Sequence, residues 1–187
     1  MFTINKIFNS QTDVKKSKFI TYLVPISQYK ELRDKLKKDN PKATHIVYAL
    51  RYLNEYNQIV ENSTDDGEPK GCAGLPSLNV LRGKDLINCA VLIVRYFGGI
   101  KLGTGGMVRA YALSANDVIK ISDIIEYKKM VKYEFETSYH NIEKTNYHLK
   151  KLDITSIERE FNINSVKWSI ETTQEAIDEV IKYLDFS

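Results

Sequence analysis

The sequence predicts an α+β chain of two domains, residues 1–122 and 123–187. Three observations lead there. Segments alternating at period two are interleaved with segments whose apolar residues recur at helical spacing. That pattern runs to about residue 122 and then restarts. The second stretch reads strand–helix–strand–strand–helix, the order of a small ferredoxin-like sandwich. With 187 residues, 43% apolar and 27% charged, the chain can bury two small cores and is not disordered.

Residues 2–8 and 17–25 read as strands, the second rich in β-formers and ended by Pro25. Ser27 stands as a helix N-cap, and Tyr29, Leu32 and Leu36 then recur on one face. This predicts an amphipathic helix over 28–38, stopped by Asn40-Pro41. Residues 44–53 form a strand with 57–62 as its hairpin partner, and 63–74 is loop-like. A short helix carries Leu75, Leu78 and Leu81. Residues 86–96 are continuously apolar, which predicts a strand buried on both faces. A glycine-rich loop covers 98–106, and a helix over 107–120 follows.

In the second domain, Met130–Thr137 alternates as a half-buried strand and 139–151 is a polar helix. Strands at 154–161 and 164–172 are joined by Asn162-Ile163. Thr173 caps a last helix whose Ala176, Ile177, Val180, Ile181 and Leu184 face inward. A ferredoxin-like fold closes with one further strand, for which no residues follow, so a three-stranded sheet with an open edge is expected.

Charge excludes little and directs little. Lys plus Arg number 27 against 24 acidic residues, and no run of five basic residues exists. Basic pairs such as Lys15-Lys16 read as solvated surface. The N-terminus lacks the apolar middle of a signal peptide. The longest apolar run, Cys89–Val94, is far short of the roughly 20 residues that span a bilayer. Cys72 and Cys89 lie too far apart for a metal or redox pair and read as reduced thiols. A cytoplasmic protein without membrane partners is expected.

Two segments carry chemical information. One is Asp65-Asp66-Gly67-Glu68-Pro69-Lys70-Gly71-Cys72-Ala73-Gly74. The other runs from Arg95 to Tyr111 and holds Gly98, Gly99, Gly103, Gly105 and Gly106. In the second, a buried strand leads through a glycine loop to a helix start, where free N–H groups and the helix dipole favour an anion. Arg95, Lys101 and Arg109 bring cations and Thr104 a hydroxyl, with Lys70 a further contact. A phosphate of RNA, a nucleotide or a sugar phosphate suits such a seat. A tight connection that needs glycine only for shape is the alternative. The spacing is neither a Walker A loop nor a dinucleotide fingerprint.

In the first segment Asp65, Asp66 and Glu68 are of the type that binds Mg²⁺. The same residues make a strong turn signal, and Asp66 or Glu68 pairing with Arg95 or Arg109 is a third use. No catalytic residue is assigned, and no cofactor is required beyond that Mg²⁺ option. His45 reads as a half-buried, hydrogen-bonded strand histidine. His140 and His148 are eight apart, the wrong spacing for a helical metal pair. Cys72 reads as a small packed thiol.

DDGEPKGCAG together with VRYFGGIKLGTGGMVRAY resembles the signature of the IMPACT family, bacterial branch, and the layout matches over the whole chain. The resemblance implies a first domain with a two-layer α/β fold like the second domain of a small-subunit ribosomal protein. It implies a second domain like the last domain of elongation factor G. It implies ties to regulation of translation, with RNA, the ribosome or translation factors as partners. The alternatives are an enzyme acting on a small phosphorylated substrate or nucleotide, and a protein-binding adaptor using the open sheet edge. Cys72 stands where the family commonly has Thr, and Leu75 where it commonly has a basic residue.

Overall fold

The computed structural model describes residues 1–185, which divide into two compact units, Met1–Tyr127 and a second that begins at Lys128. The first unit contains β1 (Phe2–Thr3), β2 (Phe8–Val14), β3 (Ser17–Pro25), α1 (Tyr29–Asp39), β4 (His45–Leu53) and β5 (Ile59–Thr64). It continues with α2 (Gly74–Gly83), β6 (Cys89–Tyr96), α3 (Thr104–Lys120) and β7 (Ile125–Glu126). Five strands form an antiparallel sheet in the order β2-β3-β6-β4-β5.

β6 lies at the centre, which accounts for its unbroken apolar run. Val91 and Ile93 point to the face covered by α2 and α3, with Phe19, Leu81, Tyr111 and Ala115. Ala90, Leu92 and Val94 point to the other face, where Tyr29 and Leu36 of α1 pack. A period of two places alternate residues on opposite faces, so only a strand covered on both sides can be apolar throughout. Each fully buried Leu or Ile here contributes roughly 1.5–3 kcal/mol of apolar burial.

Four details depart from the sequence expectations. The first edge strand is 8–14 rather than 2–8; its FNSQTDV sequence is polar because an edge strand needs only part of one face covered. Lys15-Lys16, read as plain surface, is the two-residue turn of the β2–β3 hairpin, with φ of 45° and 67°. Both values are positive, as the twist-matched hairpin turn demands. Ser27 does not cap α1: residues 26–28 form a 3₁₀ turn and no side chain bonds the helix start. The first unit runs to Tyr127, five residues past the expected 122, because Phe2–Thr3 pairs with Ile125–Glu126.

The second unit contains β8 (Val131–Thr137), α4 (Ile142–Lys151), β9 (Ser156–Phe161), β10 (Val166–Thr172) and α5 (Gln174–Asp185). Its antiparallel sheet has the order β8-β10-β9, that of a ferredoxin-like sheet lacking its fourth strand among the described residues. Phe135 stacks on Trp168 at 5.9 Å, with Leu149, Ile170 and Val180 completing the core. Trp168 is fully buried and its Nε1–H donates to Thr137 Oγ1 at 2.8 Å.

Candidate functional site

The two signature segments meet where β4 begins beside the end of the central strand β6, and three carboxylates build the first of them. Asp65 accepts N–H bonds from Gly71 (2.8 Å), Ala73 (3.0 Å) and Gly74 (2.9 Å), holding the loop against the start of α2. Burial alone would raise its pKa, but these three donors outweigh it and hold the carboxyl below its ordinary value. Asp66, at φ 46°, accepts from the Ile46 N–H at 2.7 Å. Its carbonyl faces His45 Nδ1 at 2.7 Å. A carbonyl can only accept, so Nδ1 carries the proton.

Glu68 turns inward and is 8% exposed. Its Oε1 accepts from Arg95 Nη1 and from the Tyr111 hydroxyl at 2.8 Å. Burial, and then the Glu68 charge, push the Tyr111 phenol well above its usual pKa, so it stays a donor at any working pH. Asp65, Asp66 and Glu68, the carboxylates offered for Mg²⁺, are each engaged by different protein groups. Among the described residues no group of three metal-binding side chains converges. The turn reading describes Asp65 and Asp66, and the pairing reading describes Glu68 with Arg95.

The second segment leaves β6 through Phe97. A Cβ on Gly98 would lie 2.0 Å from the Lys16 carbonyl oxygen, so only glycine lets this loop cross the β2–β3 turn. Gly99 and Gly103 take φ of 84° and 72°. The helix begins at Thr104, three residues earlier than the expected 107, so Thr104, Gly105 and Gly106 form the first turn of α3 rather than its leading loop. The first helical bond runs from Met107 N to Gly103 O, and no side chain caps the end. The N–H groups ahead of Met107 therefore lack helical acceptors. Gly103, Thr104 and Gly105 are exposed. Gly105 has an ordinary φ, and a Cβ there would meet nothing within 4 Å. Its lack of a side chain serves no packing need and leaves those amides open.

Between the segments lies a cleft of about 400 Å³. Glu68, Arg95 and Met107 line it as buried residues, His45 and Thr44 come from the β4 side, and Phe97, Lys101, Gly103 and Thr104 complete it. A larger hollow of about 590 Å³ beside Tyr29, Tyr48 and Tyr52 carries none of the signature residues.

The expected ring of cations is only partly assembled. Arg95 is 4% exposed and neutralised by Glu68. Arg109 is exposed and borders a separate hollow of about 170 Å³ with Lys15 and Leu113. Lys70 is exposed and does not line the cleft. Of the expected cations, Lys101 lines the cleft as an exposed one, while Lys15 and Arg109 border the neighbouring hollow at Leu102 and Gly106. Arg95 turned inward because a buried guanidinium needs a buried carboxylate, which the linear order of residues does not reveal. His45, not foreseen as a site residue, faces the cleft with Nε2 3.7 Å from Glu68 Oε2. Cys72 and Cys89 are both buried. Burial raises the Cys89 thiol to about 12 despite nearby Arg51, which makes it unreactive.

A doubly covered antiparallel sheet, with a glycine-opened helix start over a cleft, defines a small α/β module. The model of the Impact N-terminal domain matches residues 15–119, more than half of the chain. The protein belongs to the IMPACT family. IMPACT family member YvyE of Bacillus subtilis is 37% identical over 132 residues, spanning 69% of this chain and 60% of that one. IMPACT family member YigZ of Escherichia coli is 31% identical over 135 residues, spanning 70% and 65%. The matched region is thus less than two thirds of either relative's length. A solved structure described as that of a hypothetical protein is 27% identical, covers 100% of this chain and 92% of its own, and gives a TM-score of 0.69. The two-domain α+β fold is shared across that whole length. Among the described residues no helix is long and apolar enough to cross a membrane.

Proposed function

We propose that the protein is a binding module of the translation apparatus that holds RNA phosphates at the start of α3. The observation that carries this reading is the open first turn, where Gly103, Thr104 and Gly105 are exposed, uncapped and next to Lys101. Uncapped N–H groups and the positive end of the helix dipole together favour an anion. The family's ties to translational control supply the context, with RNA, the ribosome or translation factors as partners in the cytoplasm. Asp65 and Asp66 bind the backbone of their own loop and of β4, and Glu68 pairs with Arg95, uses that favour binding over metal-assisted catalysis.

The test is the affinity for a single-stranded RNA oligonucleotide, read by fluorescence anisotropy across a salt series. Affinity is expected to fall steeply between about 50 and 200 mM salt as counterions are released. Lys101→Ala should weaken binding to all sequences and lower the salt slope by about one. No binding at low salt, or a flat slope, would remove this reading.

A further inference from the structure

We propose that the cleft seats one ribonucleoside monophosphate unit. Its phosphate lies on the first turn of α3, a sugar hydroxyl on Glu68 and its base against Phe97. This rests on the anion seat described above and names the ligand that seat takes.

Two buried polar groups point to a ligand beyond a bare anion. Arg95, 4% exposed, has an Nε without any hydrogen-bond partner, although its Nη1 serves Glu68. Glu68 Oε1 is doubly used, while its Oε2 stands 3.7 Å from His45 Nε2, too far for a hydrogen bond between them. Nδ1 of His45 is committed as donor to the Asp66 carbonyl, which leaves its Nε2 on the Glu68 side. Glu68 Oε2 and His45 Nε2 thus stand across a gap too wide for a bond between them. A ligand hydroxyl fits there and donates to Glu68. A phosphate cannot, because a carboxylate repels it. The cleft is therefore polarised, with an acceptor at Glu68 and donors at Lys101, Thr104 and the α3 amides.

Size and lining narrow the class further. At about 400 Å³ the cleft sits near the low end of small-molecule pockets, enough for one nucleotide and not for a helix. Phe97 is 47% exposed, and the Arg95 guanidinium lies over its ring at 5.8 Å. An open aromatic ring backed by a cation is a platform for a flat base. Phosphate, hydroxyl and flat ring together describe a nucleotide, either free or at the end of an RNA strand.

Calorimetric titration of the full chain with AMP, UMP, inorganic phosphate, adenosine and 2′,3′-dideoxy-AMP tests this. AMP and UMP should bind more tightly than phosphate, adenosine or the dideoxy compound. Phe97→Ala should weaken AMP binding by about 5- to 100-fold, the loss of one stacked base, and leave phosphate binding unchanged. Phe97→Leu, which keeps apolar bulk without a ring, should behave in the same way. Oligoribonucleotides with a 5′-phosphate or a 5′-hydroxyl separate the two sources. Tighter binding of the phosphorylated strand marks a strand end, and equal binding alongside AMP affinity marks a free nucleotide. Phosphate binding as tightly as AMP overturns the nucleotide assignment and leaves the anion seat intact. Salt-dependent RNA binding with no AMP affinity overturns it too, with the wider module reading standing.

Discussion

Neutralising Glu68 should destabilise the first unit by far more than a surface charge change does. Glu68 and Arg95 side chains are 4% and 5% exposed, and the carboxylate also takes the Tyr111 hydroxyl. Glu68→Gln keeps the shape and an acceptor but leaves a guanidinium buried without its counter-charge. Breaking a buried pair in this way costs roughly 3–5 kcal/mol, against about 0–1 kcal/mol for an exposed pair. At about 2–4 °C per kcal/mol for a chain of this size, Tm should fall by roughly 10 °C. Urea unfolding followed by far-UV circular dichroism gives the free energy. Trp168, the sole tryptophan, reports separately on the second unit. Removing the whole cluster should recover most of the loss. Glu68→Leu with Arg95→Met and Tyr111→Phe strands neither a charge nor a hydroxyl, and should fall within about 1.5 kcal/mol of the natural protein. A Glu68→Gln cost below about 1 kcal/mol would refute the reasoning, since it would mean that water already screens the pair. A triple variant no better than the single would refute it as well.

The glycines of the second segment should separate by role. Gly98→Ala, with a Cβ 2.0 Å from the Lys16 carbonyl oxygen, should lose about 1–3 kcal/mol or more in urea unfolding. Gly105→Ala meets nothing and should gain up to about 1 kcal/mol of helix stability while weakening phosphate binding in the same titrations. Asp65 has its pKa lowered by folding, so its contribution is fully present above the unfolded value of about 3.9 and is lost as pH falls through the lower folded value. Asp65→Asn should therefore be less stable at pH 7 and lose less stability on acidification below about pH 4, measured by urea midpoints across pH. Thr137→Val leaves the buried Trp168 N–H without an acceptor and should cost about 1–3 kcal/mol, seen in the Trp168 fluorescence transition.

Much of the fold was legible because its signals are local. The unbroken apolar run around β6 already implied cover on both faces, and Ala90/Leu92/Val94 against Val91/Ile93 bear that out. The Thr173 start of the last helix is visible too, with Thr173 Oγ1 accepting from Ala176 N at 3.4 Å. What escaped were features with weak local chemistry. β2 is polar and carries no alternation strong enough to find. The Lys15-Lys16 turn lacks the Asn-Gly or Gly residues that mark such hairpins, and its positive φ values are imposed by the pairing of β2 with β3. The site was legible as two segments but not as a site. Gly98 was grouped with the anion loop, yet its absent side chain answers to Lys16, more than eighty positions away.

The sequence by itself determined the α+β class and the two-unit order. Each depends on residues near one another in the chain, through periodicity, turn chemistry and backbone freedom. Only the tertiary structure decided where the charges go. Arg95 faces Glu68, Arg109 lines a separate hollow, and His45 joins the cleft unannounced. The physical reason is that a charge is placed by its desolvation and its partner, both set by side chains brought together from distant strands. No reading along the chain contains those distances.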